Sequence, residues 1–156
     1  MISVVYIHFG KIPFYLLLSI QQTKRYNSKV VIISDFKPDT DCEWINVNDL
    51  QEDISRFETA YAHMSTNSKK FEMICIKRWI VLRNYILSYK VSNVYYSDSD
   101  VMVYDNLGEL YQANYSSFEM CYTMPVDQDN FRWTASGCCS YWSLKAITLF
   151  VDFIFE

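Results

Sequence analysis

The alternation of short β-branched runs with longer amphipathic stretches constrains this chain more than any other feature. Residues 2–9, 29–34, 44–47 and 93–97 are dense in Val, Ile, Tyr and Trp and read as strands. Residues 14–24 and 71–89 read as helices, and Leu50, Ile54, Phe57, Tyr61 and Met64 recur at helical spacing between them. Asp49 with Glu52 offers a capping-box-like start to that middle helix, and Ser65-Thr66-Asn67-Ser68 offers its stop. Residues 101–104 read as extended, 118–124 and 134–141 as two more strands, and 143–155 as a final helix. Strands alternating with helices predict an α/β fold, a mainly parallel sheet covered on both faces. A chain of 156 residues is one domain's worth, so the expected unit is 1–156.

Composition then removes whole classes of function. Lys plus Arg is 14 against 18 for Asp plus Glu, a net charge of −4, so there is no general basic field for nucleic acid or an anionic membrane. With three glycines there is neither G-x-G-x-x-G nor G-x-x-x-x-G-K, and a bound phosphate must be neutralised by a metal or by side chains. Cys42, Cys75 and Cys121 are scattered, and Cys138-Cys139 are adjacent, which is poor geometry for a mutual disulfide. Such cysteines suit a reducing cytosol. No signal-peptide pattern precedes the first apolar run, and the apolar segment 144–155 carries Lys145 and Asp152, as a packed helix does and a membrane span does not. The expectation is a cytoplasmic chain without a transmembrane segment.

In open parallel sheets, ligands sit outside the carboxyl ends of the strands. His8, Asp35 and the pair Asp98/Asp100 fall there. Asp98-Ser99-Asp100 is the sharpest of these. Two carboxylates at i and i+2 after an apolar strand repel unless a cation joins them, and hard oxygen ligands suit Mg²⁺ or Mn²⁺, which also bridge to phosphates. The alternative is a solvated turn. Arg78 lies on the densest apolar arc of its helix, among Phe71, Val81, Leu82 and Tyr85, while Lys77, Asn84 and Ser88 form a separate polar stripe. An inward guanidinium needs an anion, either a ligand's pyrophosphate or Asp98 itself. Asp35 is placed to accept hydrogen bonds from a base or ribose, or to cap a turn. His8 is either a nucleotide contact or a polar strand end, and His63 reads as structural. Cys138 and Cys139, flanking Gly137, read as small buried residues.

Asp98-Ser99-Asp100 behind its strand resembles the D-x-D motif of GT-A-fold glycosyltransferases. The ordered set Ser65-Thr66-Asn67, Phe71-Glu72, Cys75, Arg78-Trp79 and the triplet is similar to bacterial members of the nucleotide-diphospho-sugar transferase superfamily. Ser136-Gly137 with Ser140-Tyr141-Trp142-Ser143 resembles their later strand and helix start. The resemblance implies a GT-A, Rossmann-like fold and a metal-dependent, hexosyltransferase-type enzyme of surface glycan or polysaccharide synthesis. It would move a sugar from a UDP- or GDP-linked donor to a hydroxyl acceptor. Asp100 would be the principal Mn²⁺ or Mg²⁺ ligand, and Asp98 would touch ribose or metal. Ser99 and Arg78 would contact the nucleotide-sugar, and His8, Gly10 and Asp35 would line the base pocket. Enzymes of this fold usually continue past the last helix seen here and often add a later metal-binding histidine, whereas His8 and His63 both precede the triplet. The expectation is therefore an N-terminal portion, with a catalytically incomplete nucleotide-sugar-binding remnant as the alternative. A haloacid-dehalogenase-like phosphatase also uses D-x-D, but on its first strand.

Overall fold

The computed structural model describes residues 2–124 and 136–156. Six strands, β1 (Ser3–His8), β2 (Val30–Ser34), β3 (Glu43–Asn46), β4 (Asn93–Ser97), β5 (Met120–Thr123) and β6 (Ser136–Ser143), form one sheet in the order β3-β2-β1-β4-β6-β5. β3, β2, β1 and β4 run parallel, in a register that sets Val5 beside Val31 and Tyr96, and Ile33 beside Ile45. β6 pairs antiparallel with β4 and β5, closing the mainly parallel sheet with an antiparallel edge.

The runs that read as strands are strands because both faces of the sheet are covered. All five residues of β2 are buried, as are the first five of β1. Unbroken apolar runs, rather than alternation, are what a doubly covered strand requires. One face carries Val5, Ile7, Val31, Ile33, Tyr96 and Trp142 into a core with α3 (Lys69–Ser88) and α5 (Leu144–Ile154). The other carries Val4, Tyr6, Ile32, Tyr95 and Tyr141 against α1 (Phe14–Lys24) and the short α4 (Leu107–Leu110) with its π-helical continuation Tyr111–Tyr115. Each large aliphatic side chain so buried contributes about 1.5–3 kcal/mol.

Helix α3 positions the site. Ser68 caps it, its Oγ accepting from the Phe71 N–H at 3.3 Å. Its second half, Trp79 through Ile86, is buried without a break. The helix ends where Val91 N–H donates to Ile86 O at 3.1 Å and Lys90 takes φ +53°.

Several expectations are corrected here. The segment from Leu50 is not one helix. Val47–Leu50 is a 3-10 turn, and α2 (Ile54–Ala60) starts at Asp53, which has φ +63° and no side-chain cap, so the Asp49/Glu52 capping box does not form. The helix stops before Tyr61, and Met64 is 93% exposed. Asn84 is no surface stripe residue. It is 3% exposed, with its amide N–H groups donating to Leu50 O and Glu52 O at 3.0 and 2.9 Å. Residues 101–104 join no ladder, although Val103 is buried beneath α1 and α4. The expected strand start at residue 134 lies outside the described residues. Among the described residues no helix is long and apolar enough to cross a membrane.

Candidate functional site

The chain leaves β1 for β2 on one side and returns through β4 on the other. This reversal opens a crevice beyond the carboxyl ends of β1 and β4, where ligands bind in such sheets. His8 closes β1, Asp35 follows β2, and Asp98 follows β4. The fold thus gathers three of the groups singled out in the sequence at one end of the sheet.

Asp98 N–H extends the β4–β6 ladder by donating to Cys138 O at 2.8 Å. Val101 N–H donates back to Asp98 O at 3.1 Å, so residues 98–101 form a tight turn with Ser99 and Asp100 at its corner. The turn and the site are therefore the same object. Asp98 is half-buried, whereas Asp100 is exposed and has no side-chain partner among the described residues.

Arg78 reaches Asp98 across the space between helix and strand. Its Nη1 donates to Asp98 Oδ1 at 2.6 Å and to the Tyr96 hydroxyl at 3.2 Å. The Tyr96 hydroxyl in turn donates to Asp98 Oδ1 at 2.5 Å. Arg78 Cζ lies 4.8 Å from the Trp79 ring and 5.4 Å from the Tyr96 ring, and its Nε is buried with no partner among the described residues. Burial works against the Arg78 charge, but Tyr96 and Asp98 outweigh it and hold the guanidinium above its ordinary range. Burial likewise pushes the Tyr96 phenol well above its usual value, keeping it a donor. Of the two partners that Arg78 admits from sequence, Asp98 is the one the fold supplies.

His8 joins the same turn. Its Nε2 lies 3.1 Å from Lys11 O and its Nδ1 lies 3.0 Å from Ser99 Oγ. A carbonyl only accepts, so Nε2 carries the proton, and in the neutral ring Nδ1 accepts from the Ser99 hydroxyl. Gly10 has φ +93°, a conformation side chains strain against, and its N–H donates to Asp35 Oδ2 at 2.5 Å. Phe9, Gly10 and Asp35 line one wall of a cleft of about 630 Å³, with Lys69, Lys70 and Lys77 of α3 on the other. Lys77 pairs with Glu58 at 2.6 Å and sits 5.5 Å from the centre of the Phe9 ring. The next residue along α3 is Arg78, which turns to Asp98 instead. A larger hollow of about 1070 Å³ lies at the opposite end of the sheet, near Ser3, Tyr26 and Asn93, and contains none of these groups.

Two carboxylate side chains at this turn offer oxygen donors of the kind hard divalent ions take. Asp100 has free carboxylate oxygens and Asp98 Oδ2 takes no bond from the described residues, and Mg²⁺-type sites use one or two carboxylates with water and substrate phosphate. Among the described residues no group of three or more His, Cys, Asp or Glu is clustered as a metal cage. His63 lies outside the site, 3.2 Å from the Tyr61 hydroxyl.

Sequence reasoning placed Trp79 and Gly137 in the motifs that carry the resemblance but gave neither them nor Tyr96 a role in the site. Tyr96 and Asp98 are two apart at a strand end and so share a face, a signal that was legible. Gly137 was not, because its role is steric. A Cβ there would lie 2.6 Å from Trp79 Cζ2. Glu72 binds Ser65 Oγ and Asn67 Nδ2 at 2.8 and 2.6 Å, which explains the loop before α3.

No family model matches this chain, and no curated protein matches it. Among solved structures it is similar to a glycosyltransferase involved in the glycosylation of the major capsid of PBCV-1. The TM-score is 0.51 at 13% identity, over 99% of this chain and 66% of that one. The chain therefore spans just under two thirds of that protein's length. At this identity the likeness shows the fold alone, a Rossmann-like α/β fold.

Proposed function

We propose that this chain carries the nucleotide-sugar site of a metal-dependent glycosyltransferase, which moves a hexosyl group from a UDP- or GDP-linked donor to a hydroxyl of a glycan acceptor. One observation carries the reading: the Asp98–Asp100 turn stands at the sheet's topological switch point, tied to Arg78 on the facing helix. The shared fold with a glycosyltransferase supports it.

In this reading the cleft beside Phe9, Gly10 and Asp35 takes the nucleoside, with Asp35 accepting from base or ribose. Asp98 and Asp100 would hold Mn²⁺ or Mg²⁺, which neutralises the diphosphate and stabilises it as a leaving group. Arg78, one residue beyond the lysine wall, orients the sugar-diphosphate. His8 holds Ser99, and with it the corner of the turn, against β1.

Thermal unfolding with UDP or GDP, each with and without Mn²⁺, tests this. A ligand at a hundred times its Kd adds about 2.7 kcal/mol, or about 5–10 °C in a domain of this size. Greater stabilisation by nucleotide and metal together than by either alone is expected, and its absence with both nucleotides overturns the reading. Release of nucleotide from a donor sugar then separates a transferase from a module that binds donor alone. Arg78→Ala is expected to weaken donor binding more than nucleoside binding; equal losses assign Arg78 a purely structural role.

A further inference from the structure

We infer that Tyr96 is a positioning residue for the carboxylate turn, committing one oxygen of Asp98 to the protein and leaving the other for the metal; this rests on the reading above. The side chain is 1% exposed, and a buried phenol must find partners or cost stability. Both partners that Tyr96 finds, Arg78 and Asp98, belong to the site, and neither belongs to the core.

Arg78, Tyr96 and Asp98 form a closed triangle in which each member bonds the other two, at 2.6, 3.2 and 2.5 Å. The Tyr96 ring is itself fixed by Trp79, with centroids 5.0 Å apart. Asp98 Oδ1 therefore receives two donors, and its carboxylate plane is set before any ligand arrives. The second consequence concerns the bound state. When the guanidinium turns toward an anionic ligand, a lone Arg78–Asp98 pair would release the carboxylate. The Tyr96 hydroxyl keeps its own bond to Oδ1 and holds Asp98 in place. Without it, Arg78 is the one remaining donor to Asp98 Oδ1 among the described residues, and the carboxylate loses its anchor once the guanidinium turns to a ligand.

Tyr96→Phe removes the hydroxyl and keeps the ring. UDP affinity, measured by calorimetry with and without Mn²⁺, and Mn²⁺ affinity, measured by electron paramagnetic resonance in the presence of UDP, give the readout. Hydrogen bonds to charged groups of this kind correspond to about a tenfold change in affinity or more. Mn²⁺-dependent UDP binding should weaken about tenfold while metal-free UDP binding is unchanged. A general loosening of the core would weaken both, and unchanged affinity in both would leave Tyr96 without a positioning role; either result overturns the inference alone. If the parent protein binds neither UDP nor GDP with Mn²⁺, the reading of the site falls and the inference falls with it. Should Tyr96→Phe fail to fold, the buried Tyr96 hydroxyl proton in the parent is followed by NMR on adding Mg²⁺ and UDP. The proton is expected to shift, and an unmoved resonance overturns the inference.

Discussion

Replacing Gly137 with alanine tests how tightly β6 is pressed onto the helix that bears Arg78. The added Cβ would lie 2.6 Å from Trp79 Cζ2 and 2.7 Å from Cη2. Carbon atoms pack at about 3.5–4.0 Å, so ring or strand must yield by about 1 Å. The ring has little room to yield. It is 7% exposed and packed against Tyr96 and Trp142 at a tilt and Phe150 edge-on, at centroid distances of 5.0, 5.2 and 6.0 Å. Overpacking of this kind costs about 1–3 kcal/mol, which in a domain of this size lowers Tm by about 3–10 °C. The strand has a reason of its own to stay, because Cys138 O accepts from Asp98 N–H at 2.8 Å. Strain at residue 137 is therefore expected to reach the carboxylate turn as well as the core. Thermal unfolding followed by circular dichroism measures the loss, and Trp79→Phe in the same chain should return part of it by making room. A Gly137→Ala protein as stable as its parent would refute the packing described here.

Other expectations follow from the polar interior and the loop before α3. Asn84→Ala strips the partners from Leu50 O and Glu52 O and one acceptor from Arg83, which otherwise pairs with Asp53 at 2.8 Å. The expected loss is about 2–4 kcal/mol with an unchanged urea m-value, and a loss under 1 kcal/mol would contradict the network. Glu72 is held below its ordinary 4.5 first by Asn67 and then by Ser65. A depressed carboxyl contributes above its unfolded value and loses that contribution as pH falls through the folded one. Protection of the Asn67 backbone amide, as its exchange rate relative to the intrinsic rate at each pH, should thus hold at neutral pH and be lost only below about pH 4.5. Protection already lost at about pH 6 would show that the carboxylate does not order this loop.

How much was legible depended on whether a residue answers to its neighbours or to a distant partner. Helix α1 and strand β4 were readable to the residue, because a β-branched run or a helical stretch bounded by polar residues needs only local information. The end-of-strand rule likewise brought His8, Asp35 and Asp98 together before any coordinates. The region around Asp53 was not readable. Its left-handed backbone and missing cap follow from Arg83 and Asn84, some 30 residues later, whose polarity reads as surface when taken alone. At α4 a local cap and a distant partner work together: Asn106 Oδ1 accepts from the Gly108 and Glu109 N–H groups, and Asn27 adds to it from 80 residues earlier. Leu107 N–H donates to Asn27 Oδ1 at 3.0 Å, and Asn27 Nδ2 donates to Asp105 O at 2.9 Å. Val103 looked like strand because it is apolar, yet burial beneath helices satisfies an apolar side chain as well as a ladder does. In the site, Arg78 was legible as an inward charge. The hydroxyl of Tyr96 was legible from its place two residues before Asp98, but it was passed over among aromatic residues that mostly serve the core.

In the proposed reading the Asp98–Asp100 turn holds a divalent ion against a nucleotide's phosphates. Titration of Mn²⁺ in the presence of UDP or GDP, on the parent and on Asp100→Asn, addresses it most directly. Asp100 is exposed at the turn's corner, so its replacement should leave Tm within about 1 °C of the parent. Saturable Mn²⁺ binding that depends on nucleotide and disappears in Asp100→Asn is expected; a folded Asp100→Asn protein that binds Mn²⁺ and nucleotide as tightly as its parent would contradict the proposed site.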